Sequence, residues 1–132
     1  MSGGLELVDS SVWIDFYRGD PQAVRRVRPL LDEDRARTCG PVYAEILSGA
    51  RNKATLEDIK WQFRGIAWVM AHEPVWERTA ETRFALARFG RSCAIVDVMI
   101  ALAAADSGVR LLARDRDFRR IVGVLPLDLE VF

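Results

Sequence analysis

Apolar and polar residues follow two different periods along this chain, and together these periods predict strands that alternate with helices. Short apolar runs predict strands at about 5–8 and 110–113, and strict alternation predicts an edge strand at 127–132. The segment 37–39 (Arg-Thr-Cys) gives a weaker strand signal. Apolar residues with a helical period predict helices at about 12–17, 21–33, 41–51, 54–70, 76–90, 95–107 and 115–122. This order predicts an α/β fold with a mostly parallel central sheet and helices on both faces.

Local signals give some detail within these helices. Ser10 or Ser11 is expected to cap the first helix, and Pro29 is expected to shorten or kink the second. In the helix at 76–90, the spacing predicts that Ala80, Phe84 and Ala87 turn towards the core, together with either Leu86 or Phe89.

The chain is 132 residues long, which suits one domain spanning residues 1–132. It has no apolar run of about 20 residues that could cross a membrane. Its first residues lack the basic and apolar segments of a signal peptide. We therefore expect a cytoplasmic protein that does not associate with membranes.

Charge and histidine content narrow the function classes. Nineteen Lys and Arg balance nineteen Asp and Glu, so the formal net charge is zero. This balance argues against a protein that holds nucleic acid by bulk electrostatics alone. A single His makes a zinc site unexpected.

Acidic residues follow several of the predicted strands, where ligands bind in a parallel sheet. Asp9 ends the first strand, Glu45 lies in the helix after the second, and Asp97 lies in the first turn of the Ala-rich helix. Asp115 and Asp117 follow the strand at 110–113. Taken singly, Asp115 suits a helix cap and Glu45 a solvated surface position. Taken together, they are expected to gather at one edge of the sheet.

Such a cluster of carboxylates has a chemical consequence. Without a cation, like charges would force some of these groups to take up protons. Oxygen ligands without His or Cys favour Mg²⁺ or Mn²⁺ over zinc. Mg²⁺ is usually completed by water and substrate phosphate, which suits hydrolysis of phosphodiesters.

Four segments, in order and spacing, carry a family resemblance. They are residues 8–19 (VDSSVWIDFYRG), 44–50 (AEILSGA), 96–101 (VDVMIA) and 111–118 (LLARDRDF). Together they resemble the motifs of the PIN-domain ribonucleases, and specifically those of the VapC-type toxins of bacterial type II toxin–antitoxin pairs. The resemblance implies an endoribonuclease whose activity arrests growth and is inhibited by a cognate antitoxin protein. It also implies a homodimer.

The resemblance also assigns roles to individual residues. It implies that Asp9, Glu45, Asp97 and Asp115 are the catalytic and metal-binding acids, with Mg²⁺ or Mn²⁺ as cofactor. Ser10 would help to orient the site, and Asp117 would be an auxiliary acid. The chain departs from the family pattern at Ala113, where Ser or Thr is usual, and at Val96, where a polar residue is common.

Two further groups of residues suggest binding surfaces. Arg114 or Arg116, beside the fourth acid, is expected to contact RNA phosphate, although a solvated face paired with nearby acids is the alternative. Trp61 and Trp68 are seven residues apart in the predicted helix 54–70 and share a side opposite its core face. We expect them to contact the antitoxin or a second copy of the toxin, whereas a helix buried on both sides is the alternative.

Other functions fit the sequence less well. A receiver-type signalling domain would need a Lys after the last-but-one strand, and the only Lys residues are Lys53 and Lys60. A PIN scaffold that has lost activity and only binds partners stays a second reading. Without the four acids named above, the charge balance is +4, so a neutral total is compatible with an acidic pocket on a mildly basic nuclease.

Overall fold

Five short strands form one parallel sheet in this computed structural model, which describes residues 3–132. The strands are β1 (Glu6–Val8), β2 (Ala36–Thr38), β3 (Ala67–Trp68), β4 (Arg110–Ala113) and β5 (Leu129–Val131). Their order across the sheet is β3-β2-β1-β4-β5, and every neighbouring pair is parallel. The predicted α/β fold is confirmed. The predicted domain start at residue 1 lies outside the described residues.

Six α-helices and one 3-10 helix connect these strands in the described part of the chain. They are α1 (Ser10–Tyr17), α2 (Pro21–Asp32), α3 (Gly40–Ser48), α4 (Lys53–Phe63), α5 (Val75–Arg88), α6 (Ile95–Ser107) and the 3-10 helix (Arg116–Arg120). The most deeply buried large side chains come from both the sheet and the helices around it, among them Leu7, Trp13, Ile100, Leu111 and Phe118. Within residues 3–132, no helix is long and apolar enough to cross a membrane.

The start of α1 differs from the expectation. Asp9, and not Ser10 or Ser11, is the N-cap, and its carboxylate accepts a hydrogen bond from the Ser11 amide at 3.1 Å. Pro29 lies inside α2 without ending it, since the helix continues to Asp32. The Ala-rich α6 ends, as its sequence predicts, at Gly108 in the left-handed conformation (φ 66°).

The predicted helix over 54–70 is too long. Helix α4 ends at Phe63, and Gly65 follows within a turn that leads into strand β3. Glycine disfavours continuation of a helix, whereas Ala67 and Trp68 gain backbone pairing with Arg37 and Thr38 of β2. Trp68 is therefore a strand residue, and the shared helical side of Trp61 and Trp68 does not exist.

The predicted inward face of α5 is correct at Leu86 and wrong at the other positions. Ala80, Phe84 and Ala87 are exposed, whereas Thr79, Thr82 and Leu86 are buried. The two threonines tolerate burial because their hydroxyls donate to the carbonyls of Val75 and Arg78, each at 2.8 Å. Helix α5 thus has an apolar side that faces away from the core.

Candidate active site

The sheet reverses its winding direction between β1 and β4. From β1 the chain winds outwards to β2 and β3, and it later returns to place β4 and β5 on the other side of β1. Ligands of parallel sheets bind in the crevice at such a switch point. Asp9 follows β1 directly and its amide donates to the Leu112 carbonyl at 2.9 Å, which joins the carboxyl ends of the two strands.

Asp9 is buried and held by Ser11. Asp9 is only 3% exposed. Its Oδ2 accepts hydrogen bonds from the Ser11 hydroxyl at 2.6 Å and from the Ser11 amide. The same hydroxyl accepts from the Arg114 amide at 3.1 Å, so Ser11 ties the ends of β1 and β4 together. The sequence predicts Ser11 only as a candidate cap of α1. The signal for its role beside Asp9 is the Ser-Ser pair directly after the first acid.

Ser10 orients a different acid. Its hydroxyl donates to Oε1 of Glu45 at 2.9 Å and links the start of α1 to the middle of α3. Ser10 itself is buried, whereas Glu45 is exposed at the edge of a groove between α1, α3 and α6. The structure therefore brings Ser10 and Glu45 into contact across 35 residues of sequence.

Asp97, in the first turn of α6, is repelled by the four other acids of this group. It is half-buried, and its pKa is raised from 3.8 to about 6. Burial is the largest cause, followed by repulsion from Asp9, Asp115, Glu45 and Asp117. The pKa of Asp9 is raised as well, again mainly by burial, with a contribution from Glu45, while its bonds to Ser11 act in the opposite direction. The acids named from the sequence are thus close enough to repel one another.

Asp115 and Asp117 lie on the exposed side of this group. Asp115 caps the 3-10 helix by accepting from the Asp117 amide at 2.9 Å. Asp117 also forms an ion pair with Arg120 at 3.5 Å. The capping role of Asp115 is therefore real, and it coexists with a position near Asp97.

Cations do not neutralise the central acids. Within residues 3–132, none of Asp9, Glu45, Asp97 and Asp115 forms a salt bridge. Among these same described residues, no group of three or more His, Cys, Asp or Glu side chains is placed so that it could hold a metal ion by itself. An open group of oxygen donors suits Mg²⁺, which keeps several waters and takes only one or two carboxylates. The donor set therefore fits the expected ion by its chemistry.

The two arginines beside the fourth acid differ sharply. The Arg114 guanidinium is held by α1 and the start of α2, where it donates to Asp15 at 3.0 Å, Asp20 at 2.9 Å and Gln22 at 2.8 Å. It also lies 4.4 Å from the centre of the Phe132 ring. Arg116 is exposed and forms no salt bridge with the described residues. Of the two, only Arg116 has its charge free for a phosphate.

The two tryptophans are exposed on separate elements. Trp61, on α4, is 68% exposed and lies under the Arg64 guanidinium, 4.7 Å from the ring centre. Trp68, on the edge strand β3, is 52% exposed and packs against Tyr43 with ring centres 5.5 Å apart. Their exposure excludes a helix buried on both sides, and their role in partner binding stays a prediction.

Comparison with known proteins gives the family. The model of the PIN domain matches residues 7–124. A VapC ribonuclease of Mycobacterium bovis is 31% identical over 131 residues, which covers 96% of this chain and 98% of the relative. The chain belongs to the PIN-domain family, in its VapC branch.

Solved structures agree with this PIN fold. The chain is similar in structure to VapBC2 from Rickettsia felis, which was determined bound to a fragment of promoter DNA. The TM-score is 0.76 and the identity 17%, and the match covers 96% of this chain and 98% of the other. The chain is equally similar to DNA-bound VapBC from Salmonella typhimurium, with a TM-score of 0.76 and 22% identity over 98% of each chain. At such identities, the likeness concerns the fold.

Proposed function

We propose that this PIN domain is a Mg²⁺- or Mn²⁺-dependent endoribonuclease that acts in the cytoplasm as the toxin of a toxin–antitoxin pair. The observation that carries the proposal is the group of mutually repelling carboxylates at the switch point of the sheet, which have no salt-bridge partner in the part of the chain that the structure describes. A buried or half-buried carboxylate without a partner costs several kcal/mol of folding free energy. A site that retains several of them is expected to gain a compensating charge from a ligand.

The residues divide the work as follows. Asp9, Glu45, Asp97 and Asp115 supply oxygen ligands for the metal. Ser10 holds Glu45 through its hydroxyl, and Ser11 fixes the orientation of Asp9. When bound, the divalent ion lowers the pKa of water and offsets charge on the leaving oxygen. Asp117, exposed beside Asp115, acts as an auxiliary acid, and Arg116 contacts a phosphate of the RNA.

Metal removal tests the proposal directly. We expect the purified protein to cleave RNA with Mg²⁺ or Mn²⁺, to stop in EDTA, and to recover when either ion is added in excess. The Asp9→Asn variant, purified in parallel, controls for contaminating nucleases because Asn retains the N-cap of α1. Its activity should stay at background. Equal cleavage by both proteins, or cleavage that persists in EDTA, would exclude the proposed chemistry, and a folded wild type without activity would favour the binding-only PIN scaffold.

Removal of each arginine should separate RNA binding from stability. Arg116→Ala is expected to weaken RNA binding by a few-fold and to reduce the salt dependence of binding by about one counterion, with no change in unfolding free energy. Arg114→Ala is expected to leave the salt dependence unchanged and to lower the free energy of unfolding, because it removes the cation that joins Asp15 and Asp20. Filter binding across a salt series and urea unfolding measure the two effects. The assignment of Arg116 fails if its salt slope equals that of wild type.

The antitoxin is the second proposed partner, because the structural neighbours of this chain are toxin–antitoxin complexes. We propose that exposed aromatic side chains on α4 and β3 contribute to this contact. Interface hot spots are enriched in Trp, and truncation of one commonly costs 2 kcal/mol or more.

Trp61→Ala should therefore weaken antitoxin binding by at least about 10-fold while leaving RNA cleavage by the free toxin unchanged. Titration calorimetry with the antitoxin measures the affinity. Trp76→Ala is the matched control, since Trp76 is similarly exposed but lies on α5. An unchanged affinity of the Trp61 variant would remove Trp61 from the interface.

A further inference from the structure

A groove with apolar walls lies beside the acids, between α1, α3 and α6. It has a volume of about 670 Å³, within the range of about 300–1,000 Å³ that small-molecule sites have. Each helix contributes residues three or four positions apart, which share one side of a helix. Since α3 packs against the core through Val42 and Ile46 on another side, the groove is surface that remains available to a ligand. Its apolar residues are Ile14 from α1, Pro41 and Ala44 from α3, and Val96 and Met99 from α6.

The groove is continuous with the acidic site. Glu45 and Ser10 line it, and the hydrogen bond between them, at 2.9 Å, joins α3 to α1. Val96 lines it as well and directly precedes Asp97 in the chain. A scissile phosphate held at the acids would therefore place an adjacent nucleotide of the RNA beside the groove. To this extent the inference rests on the proposed nuclease function.

The lining of the groove suits an uncharged group. Among residues 3–132, no Lys, Arg or His side chain lines it, and the one ionisable side chain on its walls is the Glu45 carboxylate. A phosphate in the groove would be repelled by this carboxylate and would lose hydration without compensation. A planar base gains from the same walls, because it buries apolar ring surface. The part of a nucleotide that fits the groove is thus the base, with its phosphates left outside.

The two exposed polar side chains of the groove, Ser48 and Glu45, both present hydrogen-bond acceptors. The Ser48 hydroxyl donates its one proton to the Ala44 carbonyl at 2.7 Å, so its oxygen serves a ligand as an acceptor. Glu45 accepts from Ser10 through Oε1 and, as a carboxylate, keeps further acceptor positions. A ligand that fills the groove gains most if it supplies N–H donors to these oxygens.

Among the bases of RNA, three carry an amino group that meets this requirement. Adenine, cytosine and guanine each have an exocyclic amino group, whereas uracil presents carbonyl oxygens in its place. Uracil would set these oxygens against the oxygens of Ser48 and Glu45. An aliphatic side chain of a protein partner would cover the apolar walls but would exclude water from the same acceptors without replacing its hydrogen bonds. The lining therefore favours a base over a peptide.

We propose that the groove between α1, α3 and α6 binds an unpaired, amino-bearing base of the RNA next to the scissile phosphate. The base lies between Ala44 and Met99, and Ser48 accepts a hydrogen bond from its amino group. The site makes cleavage dependent on the identity of one nucleotide beside the cut.

Sequencing of the product ends from a random pool of single-stranded RNA 20-mers, cleaved with Mg²⁺ by the full chain, tests this proposal. Wild type should cut with adenine, cytosine or guanine at one fixed position beside the cut at least about 10-fold more often than with uracil, because a site built to bind N–H groups rejects a ligand that lacks them. Ala44→Phe, which fills the groove from an exposed position, should bring this ratio to within about 2-fold of one. Ser48→Ala should lower it by about 3–10-fold, the effect of one hydrogen bond.

Ala54→Phe is the matched control, because Ala54 is equally exposed on a helix but lies on α4, outside the groove, and this variant should keep the wild-type ratio. The ratio compares cuts within one reaction, so a smaller folded fraction of a variant does not change it. Cleavage by wild type without base preference overturns the proposal and leaves the nuclease function intact, whereas absence of cleavage overturns both. A wild-type ratio in Ala44→Phe or Ser48→Ala also overturns it, and weaker antitoxin binding by that Phe variant would then assign the groove to the antitoxin.

Discussion

Replacement of Asp97 by Asn should make the metal-free protein more stable while reducing RNA cleavage by about 10²–10³-fold. The loss of activity follows from removal of one ligand, since a bound metal contributes several kcal/mol of transition-state stabilisation. The gain in stability follows from the pKa of Asp97, which is raised from 3.8 to about 6 in the folded protein. A shift in this direction means that the ionised carboxylate is less favourable in the folded state than in the unfolded state.

The sign of the pH dependence is fixed by the same pKa. Below about pH 4, Asp97 is protonated in both states, so the wild type and the Asn variant should unfold with similar free energies. Between about pH 4 and 6, the folded protein holds more protons than the unfolded chain, and the stability of the wild type falls as pH rises. Above pH 6 the cost is fully present. With allowance for solvent screening, we expect it to be about 1–2 kcal/mol.

Urea unfolding of the metal-free proteins at pH 4 and pH 7 measures this difference. Addition of Mg²⁺ should then reverse the order, because ligand binding stabilises the wild type by about 1.4 kcal/mol at ten times its dissociation constant and the variant by less. Asp128→Asn is the matched control, an exposed acid just before β5 that pairs with Arg110. If Asp97→Asn is less stable than wild type at pH 7 without metal, the ionised carboxylate of Asp97 does not destabilise the folded protein, and the argument for a bound cation fails.

Sequence reasoning succeeded where one local signal determines the structure. Asp9 and Asp115 follow apolar runs that form strands, and Asp97 lies in the first turn of a helix. In a parallel sheet, such positions lie at the carboxyl edge of the strands, so the sequence could predict that these acids come together. It failed in the segment after α4, because β3 owes its existence to backbone pairing with β2, which is distant in sequence. It failed on α5 because two buried threonines satisfy their hydroxyls locally, which made the exposed apolar face look like the core face.

The contacts of Arg114 and Arg116 could not be predicted from the sequence either. Arg114 and Arg116 both lie next to Asp115 in sequence, yet Arg114 pairs with Asp15 and Asp20 whereas Arg116 is exposed. Only the packing of α1 and α2 against the end of β4 distinguishes them. Residues whose partners lie some 90 positions away, as here, can be named from a motif but not assigned a role.

The two ends of β1 carry buried acids in opposite electrostatic settings. Glu6, 5% exposed, starts the strand and contacts the Arg26 guanidinium, which also binds Glu130 at 2.8 Å. A second cation, Arg35, lies 3.7 Å from Glu6. Asp9, at the other end, accepts from the Ser11 hydroxyl and amide, is repelled by Glu45, and forms no salt bridge within residues 3–132. The buried acid Glu6 is thus neutralised by arginines, as expected for a structural role. Asp9 lacks such a partner in the described part of the chain, and this contrast supports a functional role for it.

Arg26→Met should therefore destabilise the protein by about 2–4 kcal/mol, because it keeps the apolar stem but leaves Glu6 buried beside one more distant cation. Arg26→Met combined with Glu6→Gln should recover at least half of that loss, since it removes the uncompensated charge. Arg110→Met is the control, because its ion pairs with Asp128 and Glu130 are exposed and each contributes less than about 1 kcal/mol. Urea unfolding at pH 7 measures all three, and cleavage per folded molecule should stay at the wild-type level. A loss below about 1 kcal/mol for Arg26→Met would mean that a buried acid on this strand tolerates isolation, and the unpaired Asp9 would no longer indicate a site.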